Sequence, residues 1–390
     1  MKVIMRVWPG IFAVACWIEA VGCAPQVSIG ASSNSTSGEG GFHASSVGAG
    51  GTASAGLDDG GASDGSTPLL GAKYTVAADY SDVAWDSTRN HVFLGGVNDG
   101  LVRVFDLKSS TSTSVTVGHR AEHLHFDSKL DLVFVSIAIK DHTTQWDPAE
   151  QSGYFARIDA ATLMVPEPIL LPLDPWEIAS DGKNHAYITG GSGSPLHMMV
   201  VNLTSNNVTT PFVAKIDAQS SPQMHLDLKR IYVADTDISP NTLHRHDLPG
   251  LAQPYTSYSG FDHPICGELR IHPAGTTMYS GCGNVFLATM NADTDMTWTG
   301  DLGTRWRDLA FSADGKLAYL IPDIDPDVAG SVYKSVLQAV DTTSLKVVAT
   351  YKLGAPAEHV LTSESGLLLV RAIPGDLPGT ELEVIPYGAL

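Results

Sequence analysis

From residue 72 to the C-terminus one pattern recurs: an apolar strand, a tight polar turn, a second apolar strand and a loop. A strand ending in Asp or Asn, a turn and a last strand then complete it. Its opening pair is clearest in Val83-Ala84-Trp85-Asp86 followed by His91-Val92-Phe93-Leu94. Further copies open at Leu124-His125-Phe126-Asp127, Ile178-Ala179-Ser180-Asp181 and Met224-His225-Leu226-Asp227. The last three open at Leu269-Arg270-Ile271-His272, Leu309-Ala310-Phe311-Ser312 and Val360-Leu361-Thr362-Ser363. The copies are spaced by roughly 40 to 55 residues. β-branched and aromatic residues fill the runs, Gly, Pro, Asn and Asp separate them, and no stretch keeps a helical period over three turns. A unit of this kind cannot bury its apolar faces alone, so consecutive copies must stack.

A repeat of this length has the size of one four-stranded blade. Seven copies predict an all-β fold, a seven-bladed β-propeller of four-stranded antiparallel blades over residues 72–390. The last copy offers three strands, at Val360–Thr362, Leu367–Arg371 and Glu381–Ile385, and then the chain stops. The unassigned Lys73-Tyr74-Thr75-Val76-Ala77 is expected to supply the fourth, so that an N-terminal strand closes the last blade and removes a sheet edge. Cys266 and Cys282 lie equidistant from Ala274 in a Pro-Ala-Gly turn. They are expected to face each other across one hairpin as a structural disulfide.

Two segments carry a family resemblance. Phe311-Ser312-Ala313-Asp314-Gly315-Lys316-Leu317-Ala318-Tyr319 resembles the strand–turn–strand of YVTN-type propeller repeats, as found in quinoprotein-like folds. Ala339-Val340-Asp341-Thr342-Thr343-Ser344-Leu345-Lys346-Val347-Val348 resembles the third strand, turn and fourth strand of the same repeat, and Ile158–Leu163 repeats that turn more loosely. The resemblance implies the fold and is nearly silent on chemistry.

The N-terminus reads as an export address. Lys2 and Arg6 precede an apolar stretch from Val7 to Ile18 that is too short to span a bilayer, and small residues follow. Val21-Gly22-Cys23 resembles a bacterial lipobox, which implies a signal peptide over residues 1–22 and lipidation of Cys23. Residues 23–71 are dominated by Gly, Ser and Ala and are expected to be a disordered tether. A coil of about 40 residues reaches roughly 35 Å. The chain is therefore expected to be exported and held on the periplasmic or cell-surface side of a bacterial membrane by its lipid alone. The formal net charge of −19 repels phosphate backbones, so nucleic acid is excluded as a partner. A monomer that meets a cell-envelope protein, a glycan or a small molecule suits this charge.

The first strand of each propeller blade lines the central channel. The residue before each first-strand motif is, in blade order, Asp82, His123, Glu177, Gln223, Glu268, Asp308 and His359. Each is able to ligate a metal or hydrogen-bond a ligand, and together they predict a polar ring at the channel mouth. Four converging carboxylates repel one another, and a divalent cation (Ca, Mg, Mn or Zn) held by His123, Glu177, Glu268, Asp308 and His359 would relieve that. A water-filled funnel with its carboxylates paired to Arg120, Arg305 and Arg307 is the alternative. His125, His225 and Arg270 are expected below the ring. Loops on the same face carry Asp141, His142 and Trp146 in blade two, Trp176, and Asp323, Asp325 and Asp327 in blade six. Long loops on one rim build binding surfaces, and Trp146 and Trp176 offer rings for stacking.

No P-loop, His-Glu-x-x-His or heme-attachment motif occurs. The expected function is a non-catalytic propeller that binds a ligand or envelope partner through its loop-rich top face. The alternative is a metal-dependent hydrolase or lyase acting at the channel mouth, with a periplasmic redox partner as a third.

Overall fold

The turns explain why the repeat folds as it does. In blade one Asp86 Oδ1 accepts the backbone N–H groups of Thr88 at 3.0 Å and Arg89 at 3.2 Å. Asn90 then takes a left-handed φ of 62° into the second strand. Blade two repeats this with Asp127 Oδ1, Lys129, Leu130 and a φ of 57° at Asp131. The third-to-fourth-strand turns follow a second rule. Asp106, Asp159, Asn202 and Asp341 each cap the turn with a side-chain oxygen. Four residues on, Ser110, Leu163, Asn206 and Leu345 adopt positive φ. Asp and Asn stand there because a short side-chain acceptor mimics a backbone turn.

The computed structural model describes residues 67–68, 71–143, 151–193, 196–211, 215–235, 241–248, 251–259, 262–323, 335–373 and 379–390. These belong to one compact unit, Gly61–Leu390. They form a seven-bladed β-propeller with four antiparallel strands per blade and no α-helix among the described residues. The first strands, in order, are Val83–Asp86, Arg120–Asp127, Pro175–Ser180, Ser221–His225, Leu269–Ile271, Trp306–Phe311 and His359–Thr362. We call the face where these strands begin the top.

The core is divided among the spaces between blades. One cluster joins Phe134 and Phe155 of blade two to Ile188 and Met199 of blade three and Ile231 and Val233 of blade four. Another joins Tyr232 and Leu243 of blade four to Met278 and Phe286 of blade five. Polar staples reinforce the stack at the bottom. His225 Nε2 meets the Gly275 carbonyl at 2.6 Å, and one blade on His272 Nε2 meets that of Gly315 at 2.7 Å. Both glycines have positive φ, and a Cβ on either would lie within 3.0 Å of the imidazole. His225 therefore corrects one expectation. It is buried between blades four and five and does not line the channel.

Ala72–Val76 pairs antiparallel with Gly379–Pro386 and closes blade seven, in register from Ala72↔Val384 to Val76↔Thr380. Arg371, 1% exposed, clasps the closure by pairing with Glu381 and Glu383. Gly71 N–H donates to Glu383 Oε1 at 3.2 Å, and Thr380 Oγ1 donates to the Ala78 carbonyl at 2.6 Å. Upstream, Thr67–Pro68 runs parallel to the outer strand of blade six, pairing with Tyr351 and Lys352. Two residues placed in the tether thus belong to the sheet. Cys266 and Cys282 form the disulfide of blade five, with Cα atoms 5.2 Å apart. Cys23, with the proposed signal peptide and the tether apart from Thr67, Pro68 and Gly71, lies outside the described residues.

Removing one partner of a buried ion pair costs about 3–5 kcal/mol. Arg371→Met is therefore expected to lower the thermal midpoint sharply. Lys73→Ala, which loses only the partly exposed 3.1 Å pair with Glu381, should cost about 1 kcal/mol or less. Equal midpoints for the two variants in calorimetry would show that the clasp does not hold the closure.

Candidate functional site

Because first strands line the channel, each blade delivers one side chain to its upper mouth. Asp82, His123, Glu177, Gln223, Glu268, Asp308 and His359 all border one cavity of about 460 Å³, together with His125 and Arg270 from a step lower. Asp82 and Glu268 stand just before their strands, His359 opens its own, and the other four lie inside theirs. For His123, Glu177 and Asp308 the difference comes from β-bulges at the tops of blades two, three and six, between Ala121 and His123, Pro175 and Ile178, and Trp306 and Asp308, whereas Gln223 lies in an unbroken ladder. A bulge adds a residue and re-aims its neighbours, and here it puts Glu122, Trp176 and Arg307 on the rim.

Two halves of the ring repeat each other. Asp82 Oδ1 accepts the N–H of Val83 at 2.7 Å, and its Oδ2 accepts that of Leu124, in the next blade, at 2.7 Å. His123 Nδ1 lies 3.5 Å from the same Oδ2. Asp308 does likewise, with Leu309 N–H at 2.8 Å, Val360 N–H of blade seven at 2.9 Å, and His359 Nδ1 at 3.6 Å. Burial disfavours the charge on both aspartates. The His pairs and amide donors outweigh it, so Asp82 is lowered and Asp308 falls to about 2. His123 is pushed up to about 9: burial opposes its charge, but Asp82, Glu177 and Glu268 together override it. His359 is raised in the same way by Asp308, Asp82 and Glu268.

The two glutamates are held differently. Glu177 Oε2 accepts the Ser221 hydroxyl at 2.8 Å, and burial together with the charge of Glu268 pushes its carboxyl up to about 7. Glu268 is raised by burial, against the pull of its ion-pair partner Arg270. Arg270 also reaches Asp308 Oδ1 at 3.1 Å. The counter-charge to the carboxylates thus comes from Arg270, His123 and His359. Arg120, Arg305 and Arg307, the arginines expected to do this, sit elsewhere. Arg120 pairs with Glu122 and Asp141, Arg307 with Glu358, and Arg305 Nη2 donates to Cys266 Sγ at 3.4 Å. Among the described residues no three His, Cys, Asp or Glu side chains are grouped so as to hold a metal ion.

Above the ring, His142 is gripped by Asp174 at 2.7 Å and Glu122 at 3.4 Å. Burial opposes its charge, but these carboxylates push it up to about 9. Gly191 leaves room for this ring, since a Cβ there would meet it at 2.1 Å. Trp176 is part of a strand, with its ring centroid 4.4 Å from His123 and 5.0 Å from His142. It does not border the channel cavity. On the opposite side Tyr80 donates to Glu358, which pairs with Arg307 at 3.2 Å, and its ring lies 5.7 Å from His359. Asp141 meets Arg120, and Asp323 N–H donates to the Arg305 carbonyl at 3.0 Å. Trp146, Asp325 and Asp327 lie outside the described residues.

Sequence reasoning passed over Glu122 and Glu358, and took Arg307 for a partner of the ring carboxylates. Each immediately precedes a ring residue, and that adjacency was the signal available. Asp174 and Tyr80 carried none, because only the folded loops bring them to the rim.

The glutamate makes a testable difference with pH. Glu177 has a raised carboxyl, so its contribution to stability is whole below the unfolded value of 4.5 and is lost as pH rises through about 7. Glu177→Gln removes that loss and can still accept the Ser221 hydroxyl. Its thermal midpoint, relative to the unchanged protein, should rise between pH 5 and pH 8. A difference that stays flat with pH would contradict this account of the ring.

In comparison with known proteins, no family model matches the chain, and no curated protein matches it.

Proposed function

We propose that this chain is an exported, lipid-anchored propeller of the YVTN-like kind that binds a ligand through its top face without transforming it. The ligand is an envelope protein surface, a glycan or a small polar molecule. The observation that carries this reading is the mutual commitment of the ring residues. Asp82 and Asp308 are bound to main-chain amides of the next blade, their histidines lean on them, and Arg270 is shared between Glu268 and Asp308. Side chains tied this way are pre-organised to hydrogen-bond a guest, and a nearly balanced charge suits a neutral or zwitterionic one. The rim supplies specificity through His142, Trp176, Arg307 and Glu358.

One observation favours the second reading, a hydrolase or lyase at the channel mouth. A Glu177 carboxyl near 7 is matched to proton transfer at neutral pH. If that enzyme needs a metal, His123, Glu177, Glu268, Asp308 and His359 are the donors available. They would have to leave their present partners to converge on one.

Replacing residues 140–152 by the short turn of blade one is expected to abolish capture of the ligand, scored on envelope glycan arrays and by cross-linking in cells. Glu268→Gln should weaken that capture only modestly, since Asp82, His123, Gln223 and His359 still face the guest. The reverse result, joined to stoichiometric metal and a midpoint that falls with EDTA, would transfer support to the enzyme.

Export is checked separately. Labelled fatty acid should be incorporated into the chain in a bacterial host and lost in Cys23→Ser. Incorporation that survives the substitution, or never occurs, would remove the anchor from the proposal.

A further inference from the structure

The bottom face holds a larger opening than the channel. A groove of about 920 Å³ lies between blades three and four. Its origin is a shortened outer strand: blade three ends in Val208–Thr209, two residues, where blade one ends in the six-residue Thr111–Thr116. With less sheet over it, the apolar flank of blade four stays accessible. Met224, Leu226, Leu248 and Leu251 line the groove, and Leu226 is 38% exposed.

Three lysines border the same groove: Lys129, Lys183 and Lys229. They come from the first-to-second-strand turns of blades two, three and four, so the repeat itself sets them side by side. Equivalent cations elsewhere are neutralised, Arg89 by Asp86 and Asp131, and Lys316 by Asp314 at 2.9 Å. Lys129, Lys183 and Lys229 have no ion-pair partner among the described residues. Of the two carboxylates that line the groove, Asp181 is already occupied. Asp181 Oδ1 accepts the N–H groups of Lys183, Asn184 and His185, and its Oδ2 contacts His185 Nδ1 at 2.9 Å. Among the described residues that line the groove, Asp227 alone stands against the three ammonium groups with a carboxylate bonded to no described residue. In a chain of net charge −19, a cationic rim over an apolar floor is a local reversal.

We propose that this groove is a second binding site, for a small molecule with an aliphatic or aromatic body and one anionic group. The apolar body lies on Met224, Leu226, Leu248 and Leu251, and the anion is held by the three lysines. A pocket of this volume encloses a molecule of several hundred daltons, and paired apolar and charged contacts fix its orientation. A smaller cavity of about 220 Å³ shares Lys129, Met224 and Leu226 with the groove, and His125, Ile178 and Gln223 with the channel. The groove therefore opens beside the lower end of the channel, at the far end of the first strands from the ring. It does not depend on the function proposed for the top face.

The test uses the purified full chain and dodecanoate below its micelle concentration, followed by calorimetry and by the thermal midpoint. Saturable one-to-one binding that raises the midpoint is expected. The triple variant Lys129→Gln, Lys183→Gln, Lys229→Gln should weaken it by about tenfold or more. Lys108→Gln with Lys346→Gln, which removes lysines far from the groove, should not. Dodecanol and inorganic phosphate should each bind at least about tenfold more weakly, since one lacks the charge and the other the apolar body. Glu268→Gln should bind dodecanoate as tightly as the unchanged protein, which separates this site from the ring. The inference is overturned by absent or unsaturable binding, by a triple variant that binds normally, or by dodecanol or phosphate binding as well as dodecanoate. Because the lysines are exposed, their replacement should leave the circular dichroism and the unliganded midpoint unchanged.

Discussion

A ring of sheets has no central core, and each blade can bury its two faces only against its two neighbours. Were the ring to open, the faces at the break would return to water, and with them apolar groups worth about 25 cal/mol per Å². Every other feature depends on the pairing of Ala72–Val76 with Gly379–Pro386. That junction also buries charge, with Arg371 1% exposed and Glu383 2% exposed. Arg371 between Glu381 and Glu383 is costly to desolvate and specifies one register, because a slip of one residue would turn the glutamates to the other face.

The channel residues serve the same end before they serve any ligand. Asp82 and Asp308 each reach across to an amide of the following blade, and Ser221 does so toward Leu269 N–H at 3.1 Å. A carboxylate at this position stitches neighbours together and at the same time fixes an imidazole at the mouth. Glu177 and Glu268 are one methylene longer. In place of a neighbouring amide they take the Ser221 hydroxyl and Arg270. The chemistry available to a guest is accordingly concentrated in the glutamates, the outward imidazole nitrogens and Gln223.

Much of this was legible in the residues because the repeat is spelled in turn chemistry. Asp86, Asp127 and Asp341 announce their turns, and apolar alternation set the register that put seven polar residues into one cavity. The closing strand was legible because the last copy lacked a partner. What escaped has a common cause. The bulges before His123 and Asp308 break the alternation by one residue, so Glu122 went unnoticed and Arg307 was expected to pair with the ring carboxylates, when both stand on the rim. His225 obeys the alternation yet turns to the carbonyl of Gly275, a contact one blade and fifty residues away. The ion pairs of the ring were assigned to the wrong arginines, since charge balance in a channel depends on depth, which a linear pattern does not encode.

Strand direction alternates within each blade, down, up, down, up, and the closing strand is the fourth of blade seven. Ala72 therefore starts at the bottom of blade seven, on the outer circumference, and its partner Val384 lies 312 residues further along the chain. No other strand pairing among the described residues spans so much sequence. The loop entropy of closing the ring falls on this one junction, while the pairings inside the other blades are local and can form before it. The last blade is thus the latch of the wheel: it is whole only once both ends of the repeat array have met.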